Sequence, residues 1–283
     1  MCGIVGLWDS STNNDIFLRK MLDIIDHRGP DNSGIWLDHK NNIYFGHKRL
    51  TIIDKSELAN QPMISKCGNK VIIFNGEIYN FKEIKKLLPD NIYFESSSDT
   101  KVLLEAICYF GIEKCLKILN GMFAFALWDA NSHELYLARD RCGEKPLYYG
   151  RTNQGFIFGS ELKSFAKFPY WRRDIDKESA SLFMKYGFIP SPNSIYKNIK
   201  KLGPGEFIKI KKNGYQIDKP VIYWDPKKII NQCKFEISKN FSLNDLKLKV
   251  REQIFSSVSS RMVSDVPIGA FLSSGIDSTM IVN

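Results

Sequence analysis

The chain has 283 residues, of which 43% are hydrophobic and 25% charged. That excludes wholesale disorder and leaves room for one large domain or two ordinary ones. The formal net charge is +9, but its lysines are spread along the chain and often stand near acids, which reads as a solvated surface. Nucleic acid and membrane are therefore not expected as partners. The longest clean apolar run, Met122 to Trp128, is far short of the about 20 residues that span a bilayer. Met1 to Gly6 has no basic stretch and no signal-peptide core, so a cytoplasmic protein with reduced thiols is expected. Six cysteines without a C-x-x-C pair, and four histidines without H-E-x-x-H, predict neither a disulfide framework nor a metal site.

In chain order, Ile16, Lys20, Met21, Ile24 and Ile25 have helical spacing behind Asp15. Ile35 to Leu37 and Ile43 to Phe45 flank a polar turn and predict a hairpin. Val71 to Phe74 reads as a buried strand ending at Asn75-Gly76, and Asp99-Thr100 as the cap of a helix carrying Val102, Leu103, Ala106 and Phe110. Gly121 to Trp128, Glu134 to Ala138, Leu147 to Tyr149 and Phe156 to Phe158 are further strands. Continuous apolar strands imply sheets covered on both faces, hence a layered α+β domain. The pattern changes near Tyr223-Trp224-Asp225-Pro226. Residues 1–225 are read as the first domain, 226–241 as a linker and 242–283 as the beginning of a second domain. The second segment predicts a capping-box helix from Ser242, a short strand Ile268 to Leu272 and a serine-rich loop. One helix, one strand and a loop do not make a domain, so the chain is expected to be a piece of a longer protein.

Cys2 becomes the first residue once Met1 is removed. Its α-amine then lies beside its own thiol, and an amine with an ordinary pKa of about 7.7–8.0 can act as a base at neutral pH. The thiolate is the nucleophile. A cysteine in second position is by itself a weak signal. The other cysteines, Cys67, Cys108, Cys115, Cys142 and Cys233, read as small buried hydrophobes.

Stronger information comes from a set of motifs. Met1-Cys2-Gly3-Ile4-Val5-Gly6, His27-Arg28-Gly29-Pro30-Asp31, Gly46-His47-Lys48-Arg49-Leu50, Phe74 to Asn80 and Ser98-Asp99 occur in this order. Gly121 to Asp129, Arg139-Asp140, Lys145 to Tyr149 and Ser160 to Lys163 continue the series. Together they resemble the glutaminase domain of glutamine-hydrolysing asparagine synthetases. Asp265-Val266-Pro267 and Ser273 to Ser278 extend the likeness into the synthetase domain.

The resemblance implies a four-layer αββα sandwich of the N-terminal-nucleophile type, followed by the start of an α/β ATP-pyrophosphatase domain. It implies that Cys2 attacks the side-chain amide of glutamine, with Asn75 and Gly76 as the oxyanion hole. Arg49 would bind the α-carboxylate, Glu77 and Asp99 the α-ammonium, and Leu50, Thr51, Ile52 and Ile53 would line the pocket. Simpler readings stand beside these: a surface arginine, an Asn-Gly hairpin turn, and an aspartate that merely caps a helix. Arg28 and Asp31 would organise the site without reacting.

Leu272, Ser273, Ser274, Gly275, Asp277 and Ser278 resemble a pyrophosphate-binding loop, which implies ATP with Mg²⁺ as a substrate complex and no prosthetic group. Ser274 stands where the family usually has glycine, and its Cβ would strain the loop if the position needed a positive φ. The plain alternative is a serine-rich loop capping a helix. Implied small-molecule partners are glutamine, aspartate and ATP, and a homodimer is an expectation from resemblance alone. Other acceptor carboxylates, for example in surface polysaccharide synthesis, and a non-catalytic glutamine-sensing module are the alternatives in function. A nucleic-acid-binding protein has only the +9 charge in its favour.

Overall fold

The computed structural model describes residues 1–211 and 214–282; Lys212, Asn213 and Asn283 lie outside it. The chain divides into two units, Met1–Thr51 with Ser56–Trp224, and Ile52–Lys55 with Asp225–Asn283. The first unit begins β1 (Gly3–Asp9), α1 (Asn14–Asp23), β2 (Asn32–Asp38), β3 (Ile43–Arg49), β4 (Met63–Ile64) and β5 (Lys70–Ile78). It continues α2 (Phe81–Lys86), α3 (Asp99–Phe110), α4 (Ile112–Ile118), β6 (Gly121–Asp129), β7 (Glu134–Arg139), β8 (Tyr148–Arg151) and β9 (Gly155–Gly159). It closes with α5 (Leu162–Phe165), α6 (Lys177–Tyr186), β10 (Ile199–Lys201), β11 (Glu206–Lys211), β12 (Gln216–Ile217) and β13 (Val221–Ile222).

These strands make two antiparallel sheets. One has the order β10-β8-β9-β1-β3-β2, the other β12-β11-β7-β6-β5-β4, with β13 on β11. Side chains alternate between faces along a strand, and here both faces are apolar. Val71 and Ile73 of β5, and Ala124, Ala126 and Trp128 of β6, meet Ile4, Trp8, Phe45 and Phe158 of the first sheet in one core. Trp8 and Trp128 cross edge to face there, with ring centroids 5.0 Å apart. On the other side of the first sheet, Val5, Leu7 and Ile157 pack with Leu18, Met21 and Leu22 of α1 and Phe165 of α5. Helix α3 packs on β5 from the far side of the second sheet, burying Val102, Leu103 and Ala106. The layers are therefore α, β, β, α, as expected.

Several local expectations are corrected. Strand β5 does not end at Asn75-Gly76: β6 pairs with it as far as Ile78↔Gly121, so the ladder carries the strand through. That disposes of the hairpin-turn reading of this dipeptide. The cap of α3 is Ser98, with Asp99 as the first helical residue; the Ser98 hydroxyl accepts from the Thr100 N–H. Of the five cysteines expected in the core, only Cys115 is buried; Cys67 and Cys142 are exposed, Cys108 and Cys233 half-exposed.

The second unit is helical among its described residues: α7 (Pro226–Asn240), α8 (Leu243–Ser260) and α9 (Ile276–Val282). The stretch expected as a linker is thus α7. Asp225 caps it by accepting from the Lys227 N–H, and Pro226 occupies the first turn, where its missing N–H is no loss. The capping box of α8 forms as expected between Ser242 and Asp245. Its apolar residues are not buried, Phe255 being 74% exposed. The expected strand Ile268 to Leu272 is irregular; a strand exists only in a ladder, and no described residue pairs with it. Asp265 ties this unit to its own short segment, donating its N–H to the Ile52 carbonyl (2.9 Å) and accepting from the Asp54 N–H (2.7 Å). No helix among the described residues is long and apolar enough to cross a membrane.

Candidate active site

Cys2 lies just before β1, and distant parts of the chain fix its backbone. Arg28 donates from Nε to the Cys2 carbonyl (2.9 Å), and its Nη1 pairs with Glu161 (2.8 Å). Two residues on, the Ile4 N–H donates to the Ser160 hydroxyl (3.0 Å), while the Ser160 N–H donates to the Ile4 carbonyl (2.9 Å). The thiol itself faces the end of β3: Sγ accepts from the Leu50 N–H at 3.3 Å and stands 3.6 Å from the Leu50 carbonyl. Burial pushes the thiol pKa up, against the opposing pull of the Leu50 hydrogen bond. Burial also lowers the pKa of the Met1 ammonium, helped by Arg28 and Lys145. Met1, the residue whose removal would free the Cys2 amine, is 56% exposed.

Arg49 closes β3 and is buried, its Nη1 donating to the Ser56 carbonyl (3.0 Å) and to Asn60 Oδ1 (2.7 Å). Asp31 supports the same turn: its carboxylate accepts from the Thr51 N–H (2.7 Å) and its N–H donates to the Arg49 carbonyl (3.1 Å). Arg28 and Asp31 therefore bind backbone groups next to Cys2 and Arg49. Leu50 and Thr51 are half-buried and follow Arg49 in sequence, Leu50 meeting Cys2 in space, whereas Ile52 and Ile53 group with the second unit.

Asn75, Gly76 and Glu77 follow one another on β5. Asn75 is 1% exposed, and neither Oδ1 nor Nδ2 of its side chain has a partner. A buried amide left unpaired costs about 1–3 kcal/mol, so this pair of orphaned atoms points to a ligand. Gly76 is compulsory: a Cβ there would meet the Met122 carbonyl oxygen at 2.1 Å and Phe123 Cα at 2.6 Å. Asp99 is buried; its Oδ2 accepts from the Ile78 N–H and its Oδ1 from the Thr100 N–H, both at 2.8 Å. Burial raises its pKa to about 6 despite those bonds, and Glu77 adds to the shift. Glu77 is raised as well, by burial, against the lowering pull of Lys145 and the N-terminal ammonium. Two carboxylates held above their ordinary range would be relieved by a cation between them. Cys2 lies within the electrostatic reach of both Asp99 and Arg49.

Among the described residues, the loop expected to bind pyrophosphate is held by its own hydrogen bonds and by those of Thr279 on α9 to the Gly275 carbonyl. Ser273 and Ser278 share a hydrogen bond between hydroxyls (2.8 Å), the Gly275 N–H donates to Ser273 Oγ (3.2 Å), and Ser278 Oγ lies 3.1 Å from the Gly275 carbonyl. Leu272 is exposed, as are Ser274 and Asp277. Ser274 is not among the residues with positive φ, so its Cβ brings no left-handed strain. Among the described residues no set of three His, Cys, Asp or Glu side chains gathers as a metal site.

Some supporting residues had no assigned role in the sequence. His47, Lys145, Ser160 and Glu161 fell inside the motifs, but nothing in their type marked their bonds. Gln61 carried no signal at all; its Oε1 accepts from the Phe74 N–H at 2.6 Å. Asp140 accepts from the backbone N–H groups of Phe123, Cys142, Glu144 and Lys145.

The chain is 37% identical to asparagine synthetase [glutamine-hydrolyzing] 1 of Bacillus subtilis, over all of this chain and 43% of that protein. It is 32% identical to the amidase chry2 of Gibberella zeae, over 93% of this chain and 38% of that protein. The chain thus spans less than half the length of these relatives. Among solved structures, the glutamine phosphoribosylpyrophosphate amidotransferase of B. subtilis superposes with a TM-score of 0.58 at 20% identity, covering 79% of this chain and 49% of that one; the likeness is one of fold. Residues 249–283 match the asparagine synthase family. Residues 1–224 match the glutamine amidotransferase domain family, and the chain belongs to that family.

Proposed function

We propose that the first unit hydrolyses glutamine and that, in the whole protein, the ammonia amidates an ATP-activated aspartate to give asparagine, AMP and pyrophosphate. The observation that carries the first half is the buried, unpartnered Asn75 amide on a strand that also bears Gly76, Glu77 and the Asp99 contact. In this reading Met1 is removed and the Cys2 α-amine takes the thiol proton. Sγ attacks the carboxamide carbon, and the C=O π electrons move to oxygen. The Asn75 Nδ2–H and the Gly76 N–H stabilise that oxyanion. As the tetrahedral species collapses, the protonated amine returns its proton to the leaving nitrogen and ammonia departs. Water cleaves the thioester, giving glutamate and the free thiol. Arg49 offers its planar fork to the α-carboxylate, and Glu77 with Asp99 take the α-ammonium. Leu50 and Thr51 line the same pocket.

For the synthetase half, backbone N–H groups at the start of α9 and the hydroxyls of Ser273 and Ser278 suit phosphate oxygens. Mg²⁺ comes with the nucleotide as substrate. Leu272, Ser274, Gly275 and Asp277 complete that loop. A cytoplasmic homodimer suits this activity. The similarity to an amidase keeps a second acceptor carboxylate in view. A non-catalytic glutamine sensor would be expected to have lost one of Cys2, Arg49, Asn75 or Asp99, and all four are present.

The test is ammonia release from glutamine by the Met1-processed chain, with processing confirmed by intact mass. Release that disappears in Cys2→Ala is expected. Release that persists in Cys2→Ala would overturn the assignment of the nucleophile, and a folded, processed chain that releases none would overturn glutaminase activity for this chain.

A further inference from the structure

Strand β5 has nine residues and its outer neighbour β4 only two, with the register Met63↔Ile72 and Ile64↔Val71. Beyond Ile72 no strand among the described residues lies beside the outer edge of β5. Buried N–H and C=O groups along such an edge need other partners. Which groups point there follows from the ladder. Phe123, opposite Gly76, commits its N–H and C=O to Asp140 (3.1 and 2.8 Å), on the side of β7. The Gly76–Phe123 pair therefore exchanges no ladder bonds, and the backbone groups of Phe74, Gly76 and Ile78 face the open edge.

Side chains fill that edge on both sides of Gly76. The Phe74 N–H donates to Gln61 Oε1 (2.6 Å), and the Phe74 carbonyl accepts from His47 Nε2 (3.0 Å). Two residues past Gly76, the Ile78 N–H donates to Asp99 Oδ2 (2.8 Å). The Gly76 N–H points out between these bonds. His47 belongs to β3 in the other sheet, directly opposite Ile4, two residues from Cys2. Its bond to Phe74 thus joins β3, the strand paired with the one that follows Cys2, to the residue before Asn75.

We propose that His47 and Gln61 are positioning residues for the oxyanion-stabilising groups, holding the Phe74 backbone from both of its polar atoms so that Asn75 and Gly76 keep one aim. This rests on the glutaminase reading above. His47 is fully buried, and a carbonyl can only accept, so the ring's proton sits on Nε2. Its Nδ1 has no partner. An apolar ring or aliphatic chain would fill the space without that unpaired nitrogen; what the imidazole adds is the bond to Phe74. Burial holds its pKa down at about 4, so the ring stays neutral over the working range and keeps its one proton for Phe74.

The experiment compares native chain with His47→Leu, His47→Asn and Gln61→Leu. It reads kcat and KM for glutamine, affinity for glutamate, and affinity for the aldehyde analogue of glutamine, glutamate γ-semialdehyde. Cys2 Sγ adds to the aldehyde carbon, the C=O π bond opens and the thiol proton ends on its oxygen, so this adduct carries the oxygen that the hole must hold. His47→Leu is expected to lower kcat by about 10- to 100-fold, with KM and glutamate affinity within about twofold. Aldehyde affinity should fall by the same factor as kcat. His47→Asn keeps a donor and should recover part of the loss. Gln61→Leu reaches the same peptide from the other side and serves where His47→Leu does not fold. Glutamate and aldehyde affinities falling together would make both residues packing residues only, and so would variants indistinguishable from a native chain that turns over. A native chain that neither releases ammonia nor binds the aldehyde removes the glutaminase reading, and this inference with it.

Discussion

The two units carry two sets of motifs and hold them in different ways. In the first, each site group is fixed by a residue far along the chain: Cys2 by Leu50 and Arg28, Phe74 by Gln61 and His47, Ile78 by Asp99. In the second, the bonds of the Ser273 to Ser278 loop span at most five residues, and all of its members but the half-buried Ser278 are exposed. Long-range bonds exist only in the folded state, so the first site is rigid when the sandwich is intact and lost when it is not. Bonds within a turn form wherever the backbone bends. Precision of a site and cooperativity of its fold go together here, while a motif can be complete in sequence without either.

Substitutions sharpen or break that contrast. The largest effect is expected at Asn75. Asn75→Leu should lower glutamine turnover by about 100- to 1,000-fold, while the melting temperature holds or rises, because a buried amide without partners is replaced by an apolar chain. A clear drop in melting temperature would show that the amide is bonded within the folded protein, and the contrast would lose its central residue. Gly76→Ala comes next. With backbone atoms of Met122 and Phe123 at 2.1 and 2.6 Å from the new Cβ, the urea midpoint should fall by the equivalent of about 1–3 kcal/mol.

Acidity offers a third handle. Asp99 has its pKa raised from 3.8 to about 6, chiefly by burial. Its carboxylate form therefore opposes folding above that value, and stability should rise as pH falls from about 6 towards 3.8. The kcat/KM for glutamine should move the other way, falling through the same window as the anion that would meet the α-ammonium is lost. Asp99→Asn should flatten the stability trend and remove the acid limb of the rate profile. The smallest effect belongs to the second unit: Ser274→Gly should shift stability by no more than about 0.5 kcal/mol. A larger change in chemical denaturation would show that the exposed loop is more than locally held.

Much of this was readable from the residues. Continuous apolar runs through Val71 to Phe74 and Gly121 to Trp128 give strands with two apolar faces, and from them a layered sandwich. The motif set names Cys2, Arg49, Asn75, Glu77 and Asp99 without any coordinates. What stayed hidden depends on pairing. That β5 continues past Asn75-Gly76 is decided by β6, 45 residues away along the Gly76–Gly121 interval, not by the local Asn-Gly pair. Gln61 looks like any polar loop residue until the strand edge beside it is known to be vacant. Conversely, the apolar Ile268 to Leu272 run has strand propensity but no ladder, and propensity alone does not make a strand.

The open edge of β5 has one more consequence. A strand that offers unpaired N–H and C=O groups in a row is a template on which another chain can add its own strand, the usual route to edge-to-edge aggregation. Here Gln61, His47 and Asp99 occupy that row wherever β4 does not, so among the described residues only the N–H and C=O of Gly76 are left between them, too little for a neighbouring strand to register against. The residues that frame a place for one small molecule also deny the same backbone to a second polypeptide, and variants that loosen them should be judged by their tendency to precipitate as well as by their rates.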